Sequence, residues 1–206
     1  MSLSSRYELV LSRERGLAHA VANKVVDKPL ISAWMILIPI VFVQYLISSR
    51  ELRAVAQAFA REFVLTKKLA LETALEMERS GMPKEDALTS HLSAEWGDEI
   101  EPAKKEIRER QRNEVELLVD HYVLLLRAEG GDYPSLVRQA YGNRAAYAEF
   151  LERLHEAESA VNRASVQAFE STEGFKETSA KAETAATGLR HKELDTLFPE
   201  KVKAKD

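Results

Sequence analysis

Residues 30–47 read LISAWMILIPIVFVQYLI, and no charged side chain interrupts these eighteen positions. Wound as a helix, the run is about 27 Å long at ~1.5 Å per residue, close to the ~30 Å hydrocarbon core of a bilayer. Trp34 and Tyr45 lie toward its two ends, where amphipathic rings favour the membrane–water interface. Lys28 and Arg50 bracket it with stems long enough to snorkel to headgroups. Leu30, Trp34, Pro39, Val41, Tyr45 and Ile47 therefore mark out a membrane anchor. Twenty-nine residues precede the run and no A-x-A-like site follows it, which argues against a cleavable signal peptide.

Pro39 stands at the middle of the run. In a spanning helix it frees one carbonyl and kinks the axis, which membrane helices tolerate. It equally suits the bend of a hairpin that enters and leaves one leaflet. Arg13, Arg15, Lys24 and Lys28 precede the run, and Arg50, Arg53, Arg61, Lys67 and Lys68 follow it. That near-balance gives the positive-inside rule nothing to act on. A single span is the preferred expectation, because eighteen residues are few for two arms and a turn; the hairpin is the alternative.

The rest of the chain is rich in Ala, Leu, Glu, Lys and Arg and poor in Gly and Pro, the composition of an all-α protein. Cysteine is absent, which excludes disulfides and thiolate chemistry. Residues 1–68 carry ten Lys/Arg against five Asp/Glu, and residues 69–206 carry nineteen against twenty-eight. The basic part flanks the anchor and suits an anionic leaflet. The acidic remainder argues against nucleic acid as a partner.

Ser5 and Glu8 form an S-x-x-E box that predicts a helix start near Arg6. Tyr7, Val10, Leu11, Leu17, Val21 and Val25 recur at helical spacing, so this amphipathic N-terminal helix (residues 1–29) either lies on a membrane surface or packs on the bundle. A second helix is expected from about Ser49 to Ser80, stopped by Gly81, and a short third from Pro83 to Trp96. Residues 102–129 predict a long helix. Its first half, AKKEIRERQRNE, reads as a solvated face. Its second, VELLVDHYVLLL, is apolar nearly all round and should be central to the bundle. After a short helix or turn at 133–142, a 3-4 alternation runs from Tyr147 to Leu189. It is either a heptad seam able to pair with another copy or a helix to about Phe169 followed by a fraying tail. The expected units are thus 1–29, the membrane segment 30–48, a soluble helical bundle at 49–170, and a polar C-terminal helix or tail at 171–206.

The sharpest chemical signal is Glu152-Arg-Leu-His155. Di-iron bundle proteins use two E-x-x-H pairs and two further Glu residues, all pointing inward. Here a second pair is missing, and both residues lie off the stripe of Phe150, Leu154 and Val161, as an ordinary solvated face would. His121 borders the apolar face of the central helix and reads as a satisfied core residue; with a carboxylate such as Glu72 or Glu152 it could titrate near neutrality. The acidic residues Glu72, Glu76, Glu78, Glu85, Asp86, Glu95, Asp98, Glu99 and Glu101 lack calcium-loop spacing and form either a solvated face or a docking surface. No catalytic, cofactor-binding or metal site is assigned.

The segments ISAWMILIPIVFVQYL and AYGNRAAYAEFLERLHEAESAVNRAS together resemble a family of uncharacterised bacterial membrane-anchored all-helical proteins. The resemblance implies a bacterial inner (cytoplasmic) membrane location, with the bundle on the cytoplasmic side, and no chemistry. The expected function is that of a membrane-anchored, non-enzymatic scaffold or accessory subunit. Its partners would be the lipid bilayer and either another protein or a second copy through the C-terminal helix. A di-iron type metalloenzyme using Glu152, His155 or His121 is one alternative, and a membrane-shaping protein with a Pro39 hairpin is another.

Overall fold

Ser2 begins the described fold by capping its first helix. Its hydroxyl accepts the Ser5 backbone N–H at 3.1 Å, so α1 spans Leu3–Val25 and starts earlier than the Ser5–Glu8 box predicts. The structure, a computed structural model, describes residues 1–25, 52–96, 105–168 and 175–199. All six anchor residues, Leu30 to Ile47, lie outside them. After α1 come α2 (Leu52–Ser80), α3 (Lys84–Trp96), α4 (Lys105–Arg127), α5 (Tyr133–Tyr141), α6 (Arg144–Ala168) and α7 (Phe175–Leu197). The described residues are all-helical, with no strand. No described helix is long and apolar enough to cross a membrane.

Local chemistry sets the boundaries. Gly81 and Gly142 both take φ 71°, a left-handed conformation that costs a residue without Cβ little. Their N–H groups return to the Met77 and Arg138 carbonyls, each at 2.9 Å. Asp132 caps α5 through the Ser135 N–H at 2.8 Å, and Asn143 caps α6 through the Ala146 N–H at 3.0 Å.

The five long helices form a ring. α1 packs on α2, α2 on α4, α4 on α6, α6 on α7, and α7 returns to α1; α4 also touches α1 across the centre. Directions follow from paired residues. Arg79 at the end of α2 meets Ser4 at the start of α1, so these two are antiparallel. Lys67 meets Glu114, and Glu78 meets Arg127, so α2 and α4 are parallel. Arg144 pairs with Asp195, and Ser159 with Glu183, so α6 and α7 are antiparallel. α3 lies along α4, with Lys84 on Asp120 at 2.6 Å and Arg108 stacked over the Trp96 ring.

The core confirms the central place of α4: Val115, Leu118, Val119, Tyr122, Leu125 and Leu126 are all buried. The polar residues of this half, Glu116, Asp120 and Arg127, are each in an outward ion pair. α1 belongs to the same core through Val10, Leu11, Leu17, Ala18, Val21, Ala22 and Val25, and therefore does not offer its apolar face to a lipid surface. α7 joins it through Ala182, Ala185, Ala186, Leu194 and Leu197. The 3-4 alternation past Phe169 is thus used inside the chain, by a helix that folds back on α6 and α1.

Candidate functional site

Each long helix carries one charged residue where its apolar stripe requires a hydrophobic one. On α1 it is Glu14, between Val10 and Leu17; on α2 it is Lys67, between Phe63 and Ala70. On α4, α6 and α7 it is Glu114, Glu158 and Arg190. Ring closure brings all five together at mid-bundle. Arg190 holds Glu158 with two nitrogens, at 2.5 and 2.7 Å, the bidentate geometry that makes guanidinium–carboxylate pairs strong. Lys67 Nζ is 3.0 Å from Glu158 and 3.7 Å from Glu114, and it also sits over the Phe63 ring at 4.2 Å. The Arg13–Glu193 pair closes one side at 2.5 Å.

These groups are largely withdrawn from bulk solvent. Lys67, Arg190, Glu114 and Glu14 are buried, and the Glu158 side chain keeps 15% of its exposure. Burial disfavours charge, and neighbours decide which groups keep it. For Lys67, burial acts downward, but Glu158 and Glu114 outweigh it and raise its pKa. For Glu158, burial acts upward, but Arg190 and Lys67 bring it down to about 2. For Glu114, burial prevails over Lys67, with the Glu158 charge adding to it, and the carboxyl is pushed up to about 7. Glu14 is raised by burial as well, against the pull of Lys67 and Arg190. The buried Tyr122 hydroxyl is coupled electrostatically to Glu14 without closing a well-formed hydrogen bond of its own.

Two small cavities flank the cluster. One of about 30 Å³ is bordered by Lys67, Glu114, Glu158, Asn162 and Glu183. The other, of about 20 Å³, is bordered by Glu14, His121, Tyr133, Tyr147 and Arg190. Each suits a water molecule, which needs roughly 10–15 Å³ and polar partners.

The residues singled out from the sequence fall elsewhere. Glu152 is exposed, and His155, its side chain 43% exposed, approaches Glu183 at 3.7 Å and Thr187 at 3.3 Å. Glu152 thus lies on the outer side of α6, as its spacing from the stripe predicts, and His155 sits at the edge where α6 meets α7. His121 is buried as expected, but its partner is neither Glu72 nor Glu152. Its Nδ1 lies 2.7 Å from the Tyr141 hydroxyl, and its ring stacks on Phe150 at 4.1 Å. Burial, with the Arg190 charge beside it, brings His121 down to about 3, so it is neutral at pH 7 rather than poised near neutrality. Part of the acidic surface is neutralised: Glu72 pairs with Lys68, Glu78 with Arg127 and Glu85 with Arg112. Asp98, Glu99 and Glu101 lie outside the described residues.

No protein-family model, curated protein or solved structure matches the chain. What the site can do is therefore read from its own chemistry. The five charges serve one another at the centre of the ring, beside water-sized spaces.

The sequence carried a signal for them. Glu14, Lys67, Glu114, Glu158 and Arg190 each interrupt a hydrophobic period, one per long helix. Residues 103–114 are not the solvated face expected of them, because Ile107, Gln111 and Glu114 turn inward.

Proposed function

We propose that the chain is a membrane-tethered, non-enzymatic interaction protein whose bundle is held at the cytoplasmic face of a bacterial inner membrane by residues 30–47. The observation that carries the tether's geometry is that α1 shares one core with α2, α4 and α7. α1 and α2 are antiparallel neighbours, so the chain leaves α1 at Val25 and returns in α2 at Leu52 from the same end of the ring. A single span would put residues 1–29 across the bilayer from the rest and strip Val10, Ala18 and Val21 of their core. The reading consistent with α1 is a hairpin bent at Pro39. Nine residues precede Pro39 in the run and eight follow it. At ~1.5 Å per residue each arm reaches about 12–14 Å, or roughly one leaflet.

For the non-enzymatic part of this reading, the supporting observation is that Glu14, Lys67, Glu114, Glu158 and Arg190 engage one another inside the bundle. A protein partner would meet α7 on its outer face, where Lys181, Lys192 and Asp195 are exposed. The test combines sidedness and insertion. Accessibility of tags at residues 2 and 206 in intact and opened inverted vesicles should place both ends on one side. Val41→Arg, costing roughly 2.5–3.5 kcal/mol at mid-depth, should shift the protein out of the membrane fraction. Ends on opposite sides would refute the hairpin; full membrane retention of the variant would refute the anchor.

A further inference from the structure

α7 is fastened differently from the other four long helices. Its buried apolar side chains are three alanines, Ala182, Ala185 and Ala186, and two leucines, Leu194 and Leu197. Leu189 and Phe198 are only partly buried. α4, by contrast, buries Val115, Leu118, Val119, Tyr122, Leu125 and Leu126. Apolar stabilisation scales with the area withdrawn from water, so it is small for α7. The firm contacts of α7 are charged instead: Arg190 on Glu158 at 2.5 and 2.7 Å, Glu193 on Arg13 at 2.5 Å, and Asp195 on Arg144 at 2.7 Å.

Contacts of this kind separate at low cost when both members reach water. Rehydration of the freed charges offsets most of the lost attraction, whereas an exposed leucine has no such return. Glu158, left behind, keeps Lys67 at 3.0 Å. The buried Thr178 hydroxyl has no hydrogen-bond partner among the described residues and gains one in water. The other long helices hold together without α7: α1 packs on α2 and α4, α2 on α4, and α4 on α6. α7 packs on α1, α6 and α5, and its Ala182, Glu183 and Ala186 border the cavity beside Lys67, Glu114 and Glu158.

We propose that α7 is a releasable strap: it leaves the gap between α1 and α6 as one unit while α1, α2, α4 and α6 stay packed, and so governs access to Lys67 and Glu158. A detached helix carrying Thr178, Thr184, Thr187 and Gly188 is marginal in water. The released segment therefore unwinds, and its backbone amides exchange with solvent. The release needs no membrane contact and is independent of the tether.

The experiment follows hydrogen exchange of the full-length protein in detergent, in low and rising urea. Amides of residues 182–194 should share one opening, populated at least about a hundredfold more than the opening that exposes residues 115–126 of α4. A thiol reporter gives a second measure, since the chain has no cysteine. Ala186 is 3% exposed on α7 and Ala74 is 0% exposed on α2. Ala186→Cys should be alkylated at least about a hundredfold faster than Ala74→Cys. Adding Leu118→Val should speed the slower thiol about tenfold and leave the faster one unchanged, because Leu118 stays packed in both positions of the strap. One opening shared by α7 and α4, equal labelling of the two thiols, or exchange graded inward from Leu197 as in simple fraying would each overturn the proposal. Exchange in wild type needs no variant, so it decides the matter even if a cysteine variant misfolds.

Discussion

Replacing Arg190 by Met removes the guanidinium while keeping most of the volume of a buried side chain. Glu158 loses two charge-assisted hydrogen bonds, at 2.5 and 2.7 Å, and keeps only Lys67 at 3.0 Å. Glu158 normally stands at about 2 against an ordinary 4.5. At about 1.4 kcal/mol per pH unit that gap is worth roughly 3 kcal/mol at neutral pH, within the ~3–5 kcal/mol expected when one partner of a buried pair is removed. The sign is fixed by the depressed value. In wild type this stabilisation is present above about 4.5 and disappears as pH falls toward about 2. In Arg190→Met burial raises Glu158 instead, so the variant recovers relative to wild type as pH falls. The assay is urea unfolding of both proteins at pH 7, 5 and 4, with Lys84→Ala as a surface control. The Lys84–Asp120 pair leaves 34% and 61% of its side chains exposed, so its loss should cost less than about 1 kcal/mol. A loss for Arg190→Met no larger than the control's, with no narrowing at low pH, would refute the buried-cluster account.

Three further outcomes follow from packing and burial. Leu118, 1% exposed at the centre of α4, should cost about 2–5 kcal/mol as Leu118→Ala in thermal or urea unfolding; an unchanged melt would remove α4 from the core. His121 stands at about 3 against an ordinary 6.5. Wild type should therefore lose stability relative to His121→Phe as pH falls from about 6.5 toward 3, and its imidazole proton shift should stay flat by NMR down to about pH 4. The double variant Glu152→Gln, His155→Gln should change stability by no more than about 0.5 kcal/mol and leave the metal content unaltered in elemental analysis; lost stoichiometric iron or manganese would restore the metalloenzyme reading.

How legible these features were depended on the interaction that fixes each one. Periodicity and Gly or Pro punctuation located α2, α3, α4 and α5 within a few residues, because local backbone chemistry sets those limits: Gly81 and Gly142 stop helices by adopting φ 71°. The inward position of residues 115–126 was equally readable, since a helix apolar on most sides must be surrounded. The return of α7 onto α6 and α1 was not. A 3-4 seam of small residues states that a face is buried, not against what, and Thr178, Ala182 and Ala185 fit a neighbour from this chain as well as one from another. The charge cluster was half-legible. A period broken once by Glu14 is unremarkable in α1 alone, and only ring closure puts five such breaks at one level.

That common level bears on why the charges are tolerated. The stripe of α7 is rich in small residues, Ala182, Ala185 and Ala186, and that of α2 places Ala60, Ala70 and Ala74 among Phe63, Val64, Leu69 and Leu71. Where Ala faces Ala, helices slide at little cost, because one Ala replaces another after a turn. The charges do not permit this. A one-turn shift of α2 moves Lys67 by about 5.4 Å and leaves Glu114 and Glu158 without their ammonium. The expected result is that replacing all five residues by Leu or Met of similar volume leaves stability equal or higher by roughly 1–4 kcal/mol, since well-packed apolar side chains often outperform buried ion pairs. Uniqueness should suffer instead. Two-dimensional amide spectra of the fivefold variant should show broadened or duplicated peaks from α2 and α7, where wild type gives one set. A stable variant with a single sharp set would show that the apolar stripes fix the register unaided.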